Sequence, residues 1–476
     1  KACSLLWYDC CFFSPKGIAV IGVSNDPEKY SLGREIAQLL HDMKREDLYL
    51  INNKGGIFQY GGKDYRLYKN LKEIDDNIDL VVYTAPAKFT IDLFKDIHQK
   101  PVKSVILISG VPSDIEYSEF AKQLQKIVPQ NTRVIGPNCM GVVYTPDNNS
   151  KGLNTFFIEK KRLELKYSDF SNTVLLTQSG ALAVTELDRL QESRLFKSIV
   201  SFGNKYDVKI SDLLAYFSEN PSVEVISLYI EGFDPGEGRQ FFELAKKIKK
   251  PIIVYKAGKT EAGAKAAASH TASMTGSYDV FKAACSQAGV ILTESIEDHH
   301  DLIKTFSLLA NKKPKGKRVA GVVNAGFEST ASADEIEHMI QANLDLETVE
   351  KIKKIDRYGL VDSHTSYLDI TPMADDKMYA DFTQAILDDK NVDCVFVSIV
   401  PHTVSLKTIP ETCHAPDGSA NLLSDIYKKS SKPIVVSVNA GRYYEEFTEI
   451  LNKAGIPVYH DIRCAINSLD KFTHFH

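Results

Sequence analysis

The stretch that decides the fold runs from Ile18 to Leu40, IAVIGVSNDPEKYSLGREIAQLL. It opens with a β-branched run, 18–23, turns through polar residues, and continues with apolar residues at helical spacing behind Gly33. The same alternation recurs along the chain, as expected for βαβ units and parallel sheets. A first series predicts strands at 18–23, 48–51, 80–84, 105–109 and 134–135. A second predicts them at 174–177, 199–202, 225–230, 252–255 and 290–292. A third, at 319–323, 394–399, 434–438 and 457–459, follows the basic run 311–318. That run is short and carries a Pro and a Gly, so it reads as an interdomain linker and not as a nucleic-acid patch. The polar stretch 145–172 reads as the linker into the second series.

Composition agrees with this. The chain has 476 residues, which at roughly 100–200 residues per domain suggests about three domains. Lys and Arg number 57 against 62 Asp and Glu, a formal charge of −5, which disfavours nucleic acid as the main partner. With 43% hydrophobic and 25% charged residues the chain can build cores, and no apolar run is long enough to span a bilayer. The eight cysteines, at 3, 10, 11, 139, 285, 394, 413 and 464, form no C-x-x-C pair, which removes support for zinc ribbons and thioredoxin-like chemistry and fits a reducing cytoplasm. No metal site is expected. The opening 1–13 lacks a signal-peptide cleavage pattern and reads either as an artificial start of the chain or as a short element packed on the first domain, with no function assigned.

Several segments carry candidate chemistry. After the first strand, Gly22, Ser24, Asn25, Asp26 and Pro27 form a turn before a helix, where backbone N–H groups and the helix N-terminus suit a phosphate. It is not a G-x-G-x-x-G, which disfavours ordinary NAD binding. Lys54, in NNKGG after the second strand, would reach the same crevice. Asn138, in IGPNCMG (135–141), lies at a strand's carboxyl edge and offers a substrate carbonyl both a donor and an acceptor. The adjacent Cys139 has no identifiable base and reads as structural. Gln178, Ser179 and Gly180 head a small-residue helix whose free N–H groups favour phosphate. Asn324, Ala325 and Gly326 repeat that arrangement: LLTQSGALAVTELDRL (175–190) and GVVNAGFESTASADEI (321–336) share a strand, a polar-glycine turn and a small-residue helix.

The most informative stretch is 256–277, KAGKTEAGAKAAASHTASMTGS. It has no apolar stripe, and His270 is its one group suited to nucleophilic work near neutral pH. Small neighbours let an imidazole approach a phosphoryl group, accept it and hand it on. Glu231, closing the strand in YIEGF, is placed to hold one ring nitrogen so that the other is nucleophilic. His299 and His300 read as solvated residues of a charged helix start.

In this order, IAVIGVSND, NNKGG, TAPAKF, IGPNCMG, TQSGAL, YIEG, KAGKTEAGAKAAASHTAS, VVNAG and LDITPMADD resemble the α portion of NDP-forming acyl-CoA synthetases, of the acetate–CoA ligase (ADP-forming) type within the succinyl-CoA synthetase superfamily. The resemblance covers about 14–465. It implies an α/β fold: an N-terminal Rossmann-like CoA-binding domain (1–150), a flavodoxin-like domain bearing a phosphohistidine (151–315) and a second flavodoxin-like domain (316–476). It implies an acid–thiol ligase converting acyl-CoA, phosphate and NDP reversibly to carboxylic acid, CoA and NTP. His270 would carry the phosphoryl group and Glu231 would stabilise it. CoA would meet Gly22, Ser24 to Pro27, Lys54, Ser109 and Gly110. Asn138 would lie near the acyl group, with phosphate at Gln178–Gly180 and at Asn324 and Gly326. Two departures stand out. Ala325-Gly326-Phe327-Glu328 replaces the family's Gly-Gly-Pro-Gly-like turn, and its Glu repels phosphate. No segment matches an ATP-grasp domain, so the resemblance implies a β subunit, or a fused domain, that binds the nucleotide with Mg2+. A cytoplasmic location, with neither nucleic acid nor membrane as partner, completes the expectation. A CoA-binding sensor without ligase activity and a nucleotide-binding scaffold are the alternative readings.

Overall fold

The computed structural model describes residues 11–148, 150–190, 193–270 and 276–476, with the side chains of 268–270 outside that description. The chain divides into two compact units at Thr293/Glu294, and each is described by itself.

The first unit holds two seven-stranded sheets. In the first sheet the strands are β1 (Ile18–Ile21), β2 (Leu48–Ile51), β3 (Gly56–Tyr60), β4 (Lys63–Tyr68), β5 (Leu80–Tyr83), β6 (Ser104–Leu107) and β7 (Arg133–Ile135), ordered β3-β4-β2-β1-β5-β6-β7. All neighbours are parallel except the β3–β4 hairpin. Strands β1, β5 and β6 are almost entirely buried β-branched and aliphatic residues, as a sheet covered on both faces requires. The helix Leu32–Asp42 lies directly on β1 because Gly33 has no side chain: a Cβ there would sit 2.7 Å from the Gly22 carbonyl oxygen.

The second sheet contains β8 (Gly141–Tyr144), β9 (Leu153–Asn154), β10 (Thr173–Thr177), β11 (Phe196–Ser201), β12 (Val225–Ile230), β13 (Ile252–Lys256) and β14 (Ile291–Leu292), ordered β14-β13-β12-β10-β11-β8-β9. Strands β8 and β9 pair antiparallel at its edge. The stretch read as a linker therefore contributes β9 to this sheet. One apolar cluster joins both sheets, from Ile36 and Val82 to Leu176 and Phe217. Phe12 and Phe13 are buried in it, and the Phe13 ring stacks 4.7 Å from Tyr216.

The second unit has a six-stranded sheet: β15 (Arg318–Val323), β16 (Ile340–Gln341), β17 (Tyr367–Asp369), β18 (Cys394–Ile399), β19 (Ile434–Val438) and β20 (Val458–Tyr459). Its order is β16-β15-β18-β19-β20, and β17 also pairs with β15. The helix Ile296–Leu308 belongs to this unit, where Lys304 Nζ donates to the Val458 carbonyl at 2.7 Å. His299 and His300, expected to be solvated, are buried on that helix at 0% and 9% exposure; a charged sequence neighbourhood did not reveal which face it turns inward. The basic run is bound within the same unit: Lys312 Nζ donates to the carbonyls of Tyr427 and Ser430, and Arg318 pairs with Asp393 at 2.8 Å. No helix among the described residues is long and apolar enough to cross a membrane.

Candidate functional site

In the first sheet a cleft of about 640 Å³ opens at the carboxyl ends of β1, β2 and β5, the edge where open parallel sheets bind ligands. Gly22, Ser24, Asn25, Asp26 and Lys54 all line it. Local bonds shape the wall. Ser31 Oγ donates to the Gly22 carbonyl at 2.9 Å, and Arg34 Nη1 donates to the Ser24 carbonyl at 2.9 Å. Asn52 Nδ2 donates to the Val23 carbonyl at 2.6 Å, and its Oδ1 accepts the Lys54 N–H at 2.9 Å. The Lys54 backbone is thus anchored while its side chain stays exposed.

Pro27 is not among the lining residues, nor are Ser109 and Gly110. The lining also includes Lys29, Lys69, Asn70 and Thr84, which sequence reasoning missed. Lys69 and Asn70 arrive behind β4, a strand whose one signal in the sequence is Gly61–Gly62, the hairpin-turn dipeptide before it.

Ser109 and Gly110 instead meet Asn138. The Asn138 N–H donates to the Ser109 carbonyl at 3.1 Å, and Asn138 Oδ1 lies 4.0 Å from where a Gly110 Cβ would be. Ser109 Oγ in turn donates to the carbonyl of Ala85, which lines the cleft. Asn138 has φ +58, a backbone conformation asparagine tolerates. Gly203 presses on it so closely that a Cβ would stand 2.2 Å from the Asn138 carbonyl oxygen. The following turn is pinned by Lys205, fully buried against the Glu237 and Asp234 carboxylates. Next in the chain, Cys139 is buried, and burial pushes its thiol up to about 12. A thiol so far from thiolate at neutral pH is a poor nucleophile, in keeping with a structural Cys139.

Met140 joins this corner to the second sheet. Its N–H donates to Ser201 Oγ at 3.1 Å, and its side chain covers Gly180 at the head of the helix Gly180–Leu190. Ser179 Oγ accepts the Leu182 N–H at 3.3 Å as the helix N-cap. Gln178 is 4% exposed, and its Oε1 accepts the N–H groups of Glu231 at 2.6 Å and Gly232 at 3.1 Å. Its Nε2 is buried with no partner among the described residues. Such a donor beside a helix N-terminus suits an oxyanion. Glu231 is itself 4% exposed, and its charge acts on the nearby Tyr229 hydroxyl. Burial, and then Glu231, raise the Tyr229 pKa. The structure therefore brings Asn138, Gln178, Ser179, Gly180 and Glu231 into one neighbourhood around the start of this helix. The helix Glu261–His270 ends at His270, whose side chain lies outside the described residues.

In the second unit, Gly326 opens the helix Gly326–Asp334. Both ends of the Asn324 amide bond the Val400 backbone, its Nδ2 donating at 2.9 Å and its Oδ1 accepting at 2.9 Å. Glu328 is fully buried, accepts the Ser398 hydroxyl at 2.6 Å, and is raised in pKa chiefly by burial. Asp369 Oδ2 lies 3.2 Å from where a Gly326 Cβ would be. This helix start is thus faced by carboxylates.

Known proteins agree with this architecture. Residues 16–145 match the CoA binding domain family and residues 171–306 the succinyl-CoA ligase-like flavodoxin domain family. The chain is 33% identical to the α subunit of acetate–CoA ligase (ADP-forming) II of Pyrococcus furiosus, over 94% of this chain and 93% of that one. It is 29% identical to the acetate–CoA ligase (ADP-forming) I of Archaeoglobus fulgidus, over 96% of this chain but 62% of that longer protein. Among solved structures, the dinucleotide-forming acetyl-coenzyme A synthetase 1 of Candidatus Korarchaeum cryptofilum, in complex with phosphate and ADP, superposes with a TM-score of 0.84 at 30% identity, covering 98% of this chain and 96% of that one. These likenesses favour neither the sensor nor the scaffold reading. The chain belongs to the NDP-forming acyl-CoA synthetases of the acetate–CoA ligase type, as their α portion, and is an acid–thiol ligase with a CoA-binding domain.

Proposed function

We propose that the chain performs the CoA and phosphohistidine half of a reversible ligation, with acetate or another small carboxylic acid as substrate. Its three domains would be 1–150 for CoA, 151–315 for the phosphohistidine and 316–476 as a second flavodoxin-like body. CoA would occupy the cleft lined by Gly22, Ser24 and Lys54, with its phosphates against the turn and the lysines. Inorganic phosphate would attack the thioester carbonyl: a new C–O bond forms, the C–S bond breaks, and CoA leaves as the thiolate, to be protonated. Asn138 would orient the carbonyl. The His270 imidazole would then attack phosphorus, the P–O bond to the acyl oxygen would break, and the carboxylate would leave. Glu231 would hold the opposite ring nitrogen, which orients the ring and offsets its charge. The N-terminus at Gly180 and the Gln178 amide would stabilise the phosphoryl oxygens.

The phosphoryl group would pass to NDP on an ATP-grasp partner, which would also hold Mg2+. The longer Archaeoglobus relative is consistent with that partner being fused in some members and separate in others. A cytoplasmic setting fits the use of CoA and nucleotide. The observation that carries the reading is the buried Gln178 amide between a helix N-terminus and Glu231. The test is incubation with acetyl-CoA and labelled phosphate. The expected product is an acid-labile, base-stable protein label that is absent from His270→Ala; a label that persists in that variant removes His270 from the role.

A further inference from the structure

The second and third sheets build the same corner twice. Strands β10, β12 and β13 in one correspond to β15, β18 and β19 in the other. In the second sheet Ile230 pairs with Lys256, and the Ala257 N–H returns to the Ile230 carbonyl at 2.9 Å. In the third, Ile399 pairs with Val438, and the Asn439 N–H returns to the Ile399 carbonyl at 3.0 Å. Lys256 thus stands where the third sheet uses Val438, and Glu231 stands where it uses Val400. A valine satisfies the fold at this position, so architecture alone does not call for an ammonium.

Lys256 is only 3% exposed. Its Nζ donates to the Glu231 carbonyl at 2.9 Å and to the Ala257 carbonyl at 2.6 Å. The Glu231 main chain is therefore gripped from both flanking strands, its N–H by Gln178 and its carbonyl by Lys256. Ala257 begins the segment that runs through the helix Glu261–His270. Burial lowers the lysine to about 8, with the Glu231 charge acting in the opposite direction. An ammonium costs free energy in such a place, and perturbed groups of this kind cluster at functional sites.

We propose that Lys256 is a positioning residue for phosphoryl transfer: its two hydrogen bonds hold Glu231 and the root of the His270 segment as one piece. This rests on the roles of Glu231 and His270 given above. Mispositioning of about 1 Å is enough to cost about 100-fold in rate. Lys256→Met, close in shape but without donors, is expected to slow phosphohistidine formation from acetyl-CoA and phosphate by about that factor. CoA affinity by calorimetry should stay within about twofold, because the CoA cleft does not include Lys256. Hydrogen exchange by mass spectrometry should rise in peptides covering 231–232 and 257–260.

A Lys256→Met chain that keeps the wild-type rate overturns the proposal. So does unchanged exchange at both segments, and so does an equal loss of CoA affinity and rate, which marks a general structural role. If Lys256→Met does not fold, Lys256→Gln, which keeps one amide donor for the same carbonyls, takes its place and should show an intermediate loss. A wild-type chain that forms no phosphohistidine overturns the proposed function instead. The exchange experiment still reads whether Lys256 holds the two segments together.

Discussion

The two strand–turn–helix corners, 177–180 and 323–326, differ in what their leading amides do. Gln178 spends its oxygen on the Glu231 and Gly232 N–H groups and leaves a buried amide nitrogen without a partner among the described residues. Asn324, one methylene shorter, spends both ends on the Val400 backbone. Beyond Gln178, Glu231 follows β12 and Lys256 ends β13; beyond Asn324, Val400 follows β18 and Val438 ends β19. The helix start behind Asn324 faces Asp369, and the buried Glu328 sits in the first turn of that helix. One corner keeps a spare donor for an oxyanion, and the other is closed on itself. On the proposed function, the same fold carries a reactive corner and a structural one, and a few side chains at strand ends make the difference.

The largest expected effect that tests this contrast is at Glu231. Glu231→Gln should lower the rate of phosphohistidine formation by at least about 100-fold, measured in single-turnover labelling; a loss below about threefold would make the two corners equivalent. Gln178→Leu removes both the spare donor and the acceptor for two buried N–H groups. Its apparent affinity for phosphate should fall by about tenfold or more, as for loss of a hydrogen bond to a charged group, read from the phosphate dependence of the same assay.

Asn324→Leu should act on stability instead. Two backbone groups of Val400 lose partners, and about 2 kcal/mol should disappear from the unfolding free energy of the second unit in denaturant titration. The smallest effect expected is at Glu328. A carboxyl whose pKa is raised on folding binds its proton more tightly in the folded state, so its contribution to stability weakens as pH rises through that range. Glu328→Gln should melt at a higher temperature than the wild type at pH 8, with the gap closing as pH falls towards the carboxylate range. Calorimetry across pH checks the sign.

Much of this was legible before the structure. The buried parallel strands stand out because each is a short β-branched run bounded by turn residues, so every predicted strand from 18–23 to 457–459 overlaps an observed one. The strands that escaped are those with weaker signals. The β3–β4 hairpin is polar on one face, β9 and β16 are two residues long, β17 is three, and β8 begins at Gly141, the last residue of a motif read as a turn. Of the expected CoA contacts, Gly22, Ser24 to Asp26 and Lys54 lie together in one cleft, whereas Ser109 and Gly110 sit against Asn138. Lys69 and Lys29 joined the cleft unannounced, because a solvated lysine in sequence looks like any other.

By itself the sequence determined the series of α/β units, the turns where ligands belong, and the residue types suited to phosphoryl transfer, because strand periodicity, glycine turns and side-chain chemistry are local properties. The tertiary structure alone decided which carbonyls Lys256 would hold, that Gln178 would keep a free donor while Asn324 would not, and that His299 and His300 would turn inward. Those outcomes depend on which strands become neighbours and in what register. That is a property of the assembled sheet, and nothing within a few residues of Lys256 or Gln178 encodes it.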